Sequence, residues 1–388
     1  MKHYIRALLT STILLTQARL LRADPPASTS VPATHNGNNT FTGNNNHAGA
    51  EIFTAPDFTT FGAPTKGQGL WFAVTFTNSQ QALLTMASRD GKRWGFVDSS
   101  GSYNGSGIIR DPSLIRLAGQ WWMVNTRSSL SETMSFTVSS GPTMRELTVI
   151  TNIDCSSISG ISFTWAPQFF VSPGATDYTG VHVFFSAGAN DSSMAIYEVH
   201  PTNSGMTAWS EPVAIAGTGF PPTMIDPYLL QIDSTYYLWF KNENNHHFGY
   251  ATSSSLTNGY TTTSAHDGST DWMNTGFAVE GTVVVPLGPV GVYRVYEDRY
   301  VGQGYYYQET TDSFATWSTP VKCQTPYPVS HWDIIRPSDA NALMEILGDF
   351  VNDNQVITQV NGYVGIGGMP TYPFEVISPP AVFPQFGF

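Results

Sequence analysis

From Gly69 to about Pro337 the chain alternates short apolar or aromatic runs with breaks of Gly, Asn, Asp and Ser, and no long amphipathic helical stretch interrupts them. The pattern predicts an all-β fold. Two stretches repeat one design: DPSLIRLAGQWWMV from Asp111 and DPYLLQIDSTYYLW from Asp226. Each opens on Asp-Pro, runs through apolar residues to a polar turn, and resumes on an aromatic pair, Trp121-Trp122 or Tyr236-Tyr237. Both read as β-hairpins. Proline suits the first residue of a strand, where its missing N–H costs least, and this leaves the preceding aspartate at the strand mouth. Only Ser338 to Leu347 (SDANALMEIL) reads as a helix, capped by its Ser or Asp.

Strand starts carrying an unusual polar or aromatic residue recur at Asp111, Trp165, Asp226, Glu280 and His331, about 51–61 residues apart. That interval suits four strands with their turns, the length of one propeller blade. Two units also end alike, in AWSEPVAI around Trp209 and TWSTPVKC around Trp317. The early strands between Leu70 and Val97 lack such an opening residue and are expected to join the unit begun by His331. The predicted fold is therefore a five-bladed β-propeller closed by N-terminal strands joining the last blade. A concatenated two-sheet sandwich is the other all-β arrangement. A propeller would bring the five strand starts around one central cavity; a sandwich would scatter them.

Composition narrows the partners. Charged residues make up 12%, about half the ~25% usual for soluble domains. The net charge is −12 without a basic cluster, which argues against nucleic acid and favours a neutral ligand. Aromatics at 13% suit stacking on sugar faces, although most must be core. Lys2, His3 and Arg6 before an apolar run from Ala7 to Leu15 form a secretory leader pattern. Sequons at Asn38, Asn104 and Asn190 agree with secretion. Cys155 and Cys323 make neither a disulfide framework nor a metal site, and their pairing stays open. The expected organisation is a signal peptide over 1–23, a Pro/Ser/Thr/Asn/Gly-rich linker over 24–60, a propeller over 61–340 and a C-terminal extension over 341–388 packed on it. A monomer is expected, without a membrane-spanning segment.

Asp111, Asp226 and Glu280 converging on one pocket cannot all behave as surface acids, because like charges raise one another's pKa. A protonated acid and an ionised base on opposite sides of a bond are what glycoside hydrolysis needs. Each Asp-Pro alone would pass as a turn; Glu280-Gly281 between apolar runs is harder to explain, since an unpaired buried charge is costly. Trp165 is a candidate sugar-stacking wall or a core residue. Arg294 is a candidate for a substrate hydroxyl, with an exposed ion-paired arginine as the alternative. His246 and His247, adjacent on a strand, point to opposite faces and make no metal pair.

RDPS at Asp111, TWAPQ at Trp165, IDPY at Asp226, VEGT at Glu280 and the late His331 together resemble glycoside hydrolase family 43, over roughly residues 69–337. The stretch from Val292 to Ser318 is also similar to the fourth blade of those enzymes. The resemblance implies an inverting hydrolase with Asp111 as general base, Glu280 as general acid and Asp226 tuning the acid. Its carboxyl separation would be about 6.5–9.5 Å, leaving room for a water. His331 matches a residue that supports the pocket floor, in relatives sometimes beside calcium. No cofactor is required, and a structural calcium in the channel is allowed. The sequence departs from the pattern at Gln168, where an acidic residue usually stands, and at Trp332, where a small one does; Trp332 counts against a metal at His331. The related family 62 shares architecture and residue order. The implied activity is that of a secreted α-L-arabinofuranosidase on hemicellulose or pectin side chains. β-Xylosides and arabinan or galactan backbones are the alternatives, and a non-catalytic sugar-binding propeller is the rival from another class.

Overall fold

The computed structural model describes residues 71–335, apart from 80, 89, 99–106, 128–132, 143–145, 300–303 and 326–328, together with short strands after residue 356. The expected leader, the expected linker and the expected helix at 338–347 lie outside the described residues. Three strands come first: β1 (Trp71–Phe76), β2 (Leu84–Ser88) and β3 (Trp94–Asp98). The next sheet holds β4 (Arg110–Leu117), β5 (Gln120–Thr126), β6 (Ser135–Gly141) and β7 (Thr148–Asp154) in order. It is followed by β8 (Phe163–Val171), β9 (Val181–Gly188), β10 (Ala195–Val199) and β11 (Val213–Ala214). After the short β12 (Gly217–Thr218) come β13 (Met224–Ile232), β14 (Thr235–Asn242), β15 (His247–Ser253) and β16 (Tyr260–Thr261), with β12 on the outer edge of their sheet. A fourth sheet comprises β17 (Val279–Pro286), β18 (Tyr293–Arg299), β19 (Tyr305–Thr310) and β20 (Val321–Lys322).

β21 (Ser330–Ile335) then pairs with β1, so the fifth sheet runs β21-β1-β2-β3 and joins the two ends of the ring. These five sheets are the blades of a five-bladed β-propeller. Both recurrent Trp motifs lead into outer strands, β11 and β20, as their similarity predicts. Beyond the ring, β22 (Ile357–Val360), β23 (Tyr363–Ile366), β24 (Phe374–Val376) and β25 (Phe386–Gly387) form a separate sheet.

The core lies between blades rather than within them. Val124, Phe136 and Val138 of the first full blade meet Phe169, Val183 and Phe185 of the second. Phe184 and Ile196 meet Leu238 and Phe240 across the next contact. Trp239 and Phe248 then face Val284, Val295 and Phe314. At the closure, Trp71, Trp94, Trp332, Tyr296 and Tyr305 form an aromatic block, with Trp332 stacked on Tyr305 at 3.9 Å between ring centroids. A single blade buries one face only against its neighbour, so the apolar alternation in each unit is satisfied only in the closed ring. Cys155 and Cys323 are both free and buried in these cores, and burial pushes the Cys155 thiol up to about 12.

The five inner strands share a local distortion. In β4, β8, β13, β17 and β21, two residues stand opposite one on the neighbouring strand. The first residue of each bulge has positive φ: Asp111 (47°), Ala166 (49°), Asp226 (55°), Gly281 (60°) and His331 (40°). Pro112, Pro167 and Pro227 therefore occupy the second bulge position rather than a strand's first residue, which corrects the expectation from sequence. The bulge interrupts the ladder, so a residue without an N–H fits there as well.

Polar contacts near the bulges tie inner strands together. Asp333 of β21 accepts from Ser113 Oγ at 2.8 Å and Leu114 N at 3.0 Å, both on β4, and from Ile334 N at 2.9 Å. Gln168 of β8 donates to the same carboxyl, and Ser113 Oγ accepts from Phe169 N at 3.0 Å. The non-acidic Gln168 thus donates to a buried acid. Asp333→Ala would strip several buried donors of their acceptor. It is expected to cost about 3–5 kcal/mol in urea unfolding, and Asp333→Asn, which keeps one acceptor oxygen, less.

Candidate active site

Each bulge turns its strand where the blade reaches the ring's mouth, and the residues at and just before the positive-φ position supply the site. Asp111, Asp226 and His331 sit at that position. An L-residue in the left-handed region costs roughly 1–2 kcal/mol, and Asp and His are among the types that tolerate it. Glu280 and Trp165 stand one residue earlier, beside Gly281 and Ala166. The five strand starts singled out by sequence therefore divide into two registers that the bulge separates.

Three blades deliver carboxylates to one cluster. Asp111 Oδ1 lies 3.4 Å from His331 Nδ1, and Asp226 Oδ1 lies 4.0 Å from the same nitrogen. The second Asp226 oxygen accepts from Gly281 N at 3.1 Å, which ties it to the strand that carries Glu280. Glu280 is the most open of the three, with its side chain 25% exposed against 11% for Asp111 and 6% for Asp226. Burial raises the Asp226 carboxyl to about 6; His331 and Lys241 oppose the rise, and Glu280 and Asp111 add to it.

Sequence reasoning missed the groups that hold this cluster. Lys241, at the end of β14, is buried and places Nζ 3.3 Å from Glu280 Oε2 and 2.7 Å from Glu243 Oε2. Glu280 is thus paired across the contact between two blades, which answers why a carboxylate can sit among valines. Glu243 also lies 3.8 Å from His246, whose carbonyl accepts from Val279 N at 2.9 Å, so the β14–β15 turn braces the strand bearing Glu280. Asp298, opposite Glu280 in the ladder, accepts from His331 N at 2.9 Å. Burial and then the Glu280 charge raise its carboxyl well above the usual range. Tyr305 Oη accepts from Trp332 N at 2.7 Å and donates to Gly281 O at 3.3 Å, linking the last two inner strands. The one available signal was a lysine ending an apolar strand, in TYYLWFKN.

Trp165 is half-buried at the mouth of β8, its ring 5.4 Å from that of Phe163. Arg294 is not brought to the cluster. It pairs with Val285, at the far end of β17 from Glu280, and is buried. Its guanidinium is engaged by Glu309 Oε1 at 2.6 Å and Asp90 O at 2.7 Å, bridging two blades beneath Trp71 and Tyr307. The expected substrate contact is therefore replaced by a blade-to-blade tie. His331 lies against the carboxylate cluster. Its ring nitrogen faces two carboxylates, and the nearby Asp333 is taken up by backbone and side-chain donors.

Asp226 has a consequence for stability. Its folded carboxyl lies near 6 against 3.8 for the free group, so the fold favours its protonated form. That contribution is present below pH 3.8 and is lost as pH rises through 6, a difference on the order of 3 kcal/mol. Asp226→Asn, which keeps an acceptor for Gly281 N, is expected to raise Tm at pH 8 by several degrees and to leave it nearly unchanged at pH 4. Calorimetry at the two pH values checks this.

Comparison with known proteins bears on the family of the chain. A sequence model of the glycoside hydrolase family 43-related group, described as "Probable glycosyl hydrolase domain", matches residues 70–340. No curated protein matches. Among solved structures, an α-L-arabinofuranosidase from Lactobacillus brevis is 16% identical, with 55% of this chain and 73% of that one covered and a TM-score of 0.40. An endo-1,4-β-xylanase from Bacteroides thetaiotaomicron is 13% identical, covering 68% and 98%, with a TM-score of 0.49. An α-L-arabinanase from Cellvibrio cellulosa, complexed with arabinohexaose, is 11% identical, covering 67% and 96%, with a TM-score of 0.46. With the family model spanning most of the chain and the propeller complete, this chain belongs to the glycoside hydrolase family 43-related group and is a glycosidase.

Proposed function

We propose that the chain is a secreted, inverting glycosidase acting on side chains of plant hemicellulose or pectin, with α-L-arabinofuranosides as its first substrate class. The observation that carries the mechanism is the convergence of Asp111, Asp226 and Glu280 from three blades, with a lysine against one acid and a histidine against another. The substrate class follows the resemblance in residue order, and the leader pattern supports secretion.

Glu280 is the general acid. It gives its proton to the glycosidic oxygen as that oxygen leaves the anomeric carbon, with Lys241 Nζ at 3.3 Å fixing one carboxyl oxygen. Asp111 is the general base. It takes a proton from a water attacking the opposite face of the sugar, while His331 at 3.4 Å holds its carboxylate in place. One C–O bond forms as the other breaks, and the anomeric configuration inverts. Asp226, tied to the Gly281 amide beside the acid, tunes Glu280. Trp165 offers an apolar wall for a sugar face at the same mouth.

Removing an acid or base typically lowers the rate about 10²–10⁴-fold. Asp111→Asn is expected to lose that much kcat/KM on arabinan or arabinoxylan with Tm unchanged; wild-type turnover would remove it from the base role. Glu280→Gln should lose less on an aryl glycoside with a good leaving group than on a natural one, because the former needs little protonation. The product followed by NMR should first appear as the inverted anomer. A retained anomer would exclude the single displacement, and binding without release from any polysaccharide would favour a sugar-binding propeller.

A further inference from the structure

A second cluster of ligating groups stands on the second full blade, apart from the carboxylates at the mouth. His182 lies on β9 and Glu198 on β10, with His200 just beyond it. The ladder pairs Val199 with Val183, so one step further sets His200 opposite His182, and Glu198 lies on the same face two residues back. His182 pairs with Phe170, near the end of β8 remote from Trp165. The three ligand atoms, one from each side chain, lie within 4.8 Å of one another.

The carboxylate is the unusual member. Its side chain is 3% exposed, and its partners among the described residues are two imidazoles, with Nδ1 of His182 at 2.7 Å and Nδ1 of His200 at 3.2 Å from the same oxygen. No Lys or Arg side chain pairs with it among the described residues. A buried carboxylate needs a compensating positive charge. The two rings aim the same kind of nitrogen at one carboxylate oxygen, and His200 is 47% exposed, so the group is open to solvent on one side.

We infer that His182, Glu198 and His200 form a binding site for a divalent transition-metal ion, zinc first. Two imidazoles and one carboxylate with an open fourth position are a tetrahedral zinc donor set, whereas calcium and magnesium take oxygen donors. Ligands on one tetrahedral zinc stand about 3.3 Å apart, given Zn–N and Zn–O distances of about 2.0–2.2 Å. The 3.2 Å contact meets that spacing already, and the 2.7 Å contact needs His182 to withdraw by about half an ångström. The ion would place a positive charge against the buried Glu198 carboxylate, whose partners among the described residues are imidazoles. By clamping β9 to the end of β10, it would stabilise the blade at the end away from the catalytic cluster.

The test uses the full chain stripped with chelator, titrated with zinc by calorimetry and with cobalt by visible absorption. The expected result is one saturable zinc per chain, a rise in Tm and cobalt bands of tetrahedral intensity. His200→Ala, an open position that should leave the fold intact, is expected to weaken zinc roughly 100-fold or more, and Glu198→Gln to do the same. If Glu198→Gln fails to fold, His200→Ala alone decides. Absence of saturable binding would leave a hydrogen-bonded cluster and overturn the inference. Zinc binding unchanged in His200→Ala would place the ion elsewhere and overturn it equally.

Discussion

The structure depends on one backbone constraint: every inner strand must break its ladder at the mouth of the ring by turning one residue into the left-handed region. The bulge releases one residue from the ladder and re-aims its side chain. Glycine meets the requirement without strain at position 281; Asp111, Asp226 and His331 meet it at some cost and gain a polar group at the centre. Three of the five positive-φ bulge positions therefore carry a polar side chain of the cluster.

That constraint also explains the different surroundings of the three carboxylates. Asp111 and Asp226 lie on the bulge itself and face His331, whereas Glu280 lies one residue earlier and meets Lys241 of the preceding blade. The shift exchanges a shared histidine for a buried lysine and leaves Glu280 the most open of the three. Like charges are tolerated because a cation or imidazole is placed against each, and because Asp226 and Asp298 are pushed towards protonation by burial.

Around this mouth the ring holds together through contacts between blades. Aromatic side chains fill those contacts, and polar ties such as Ser113–Asp333 and Arg294–Asp90 cross them. The aromatic content and the low charge thus describe a core distributed among five interfaces. Trp332 shows the trade directly: it follows His331, yet its ring leaves the site to stack on Tyr305 in the closing aromatic block. The free cysteines belong to the same packing, which is why their distance in sequence carried no information about a bond.

The sequence alone determined the all-β class, the five units, the closure by early strands and the three carboxylates, because strand alternation and blade length are local properties that repeat. It also placed Asp111 and Asp226 in equivalent hairpins. It could not show that Glu280 stands one residue out of register with them, since short apolar runs do not fix where a bulge inserts its extra residue. Nor could it assign Lys241, Glu243 and Asp298 to the site, or remove Arg294 from it. Those assignments are set by which strand lies beside which across a blade contact, a relation made by ring closure between residues far apart in the chain.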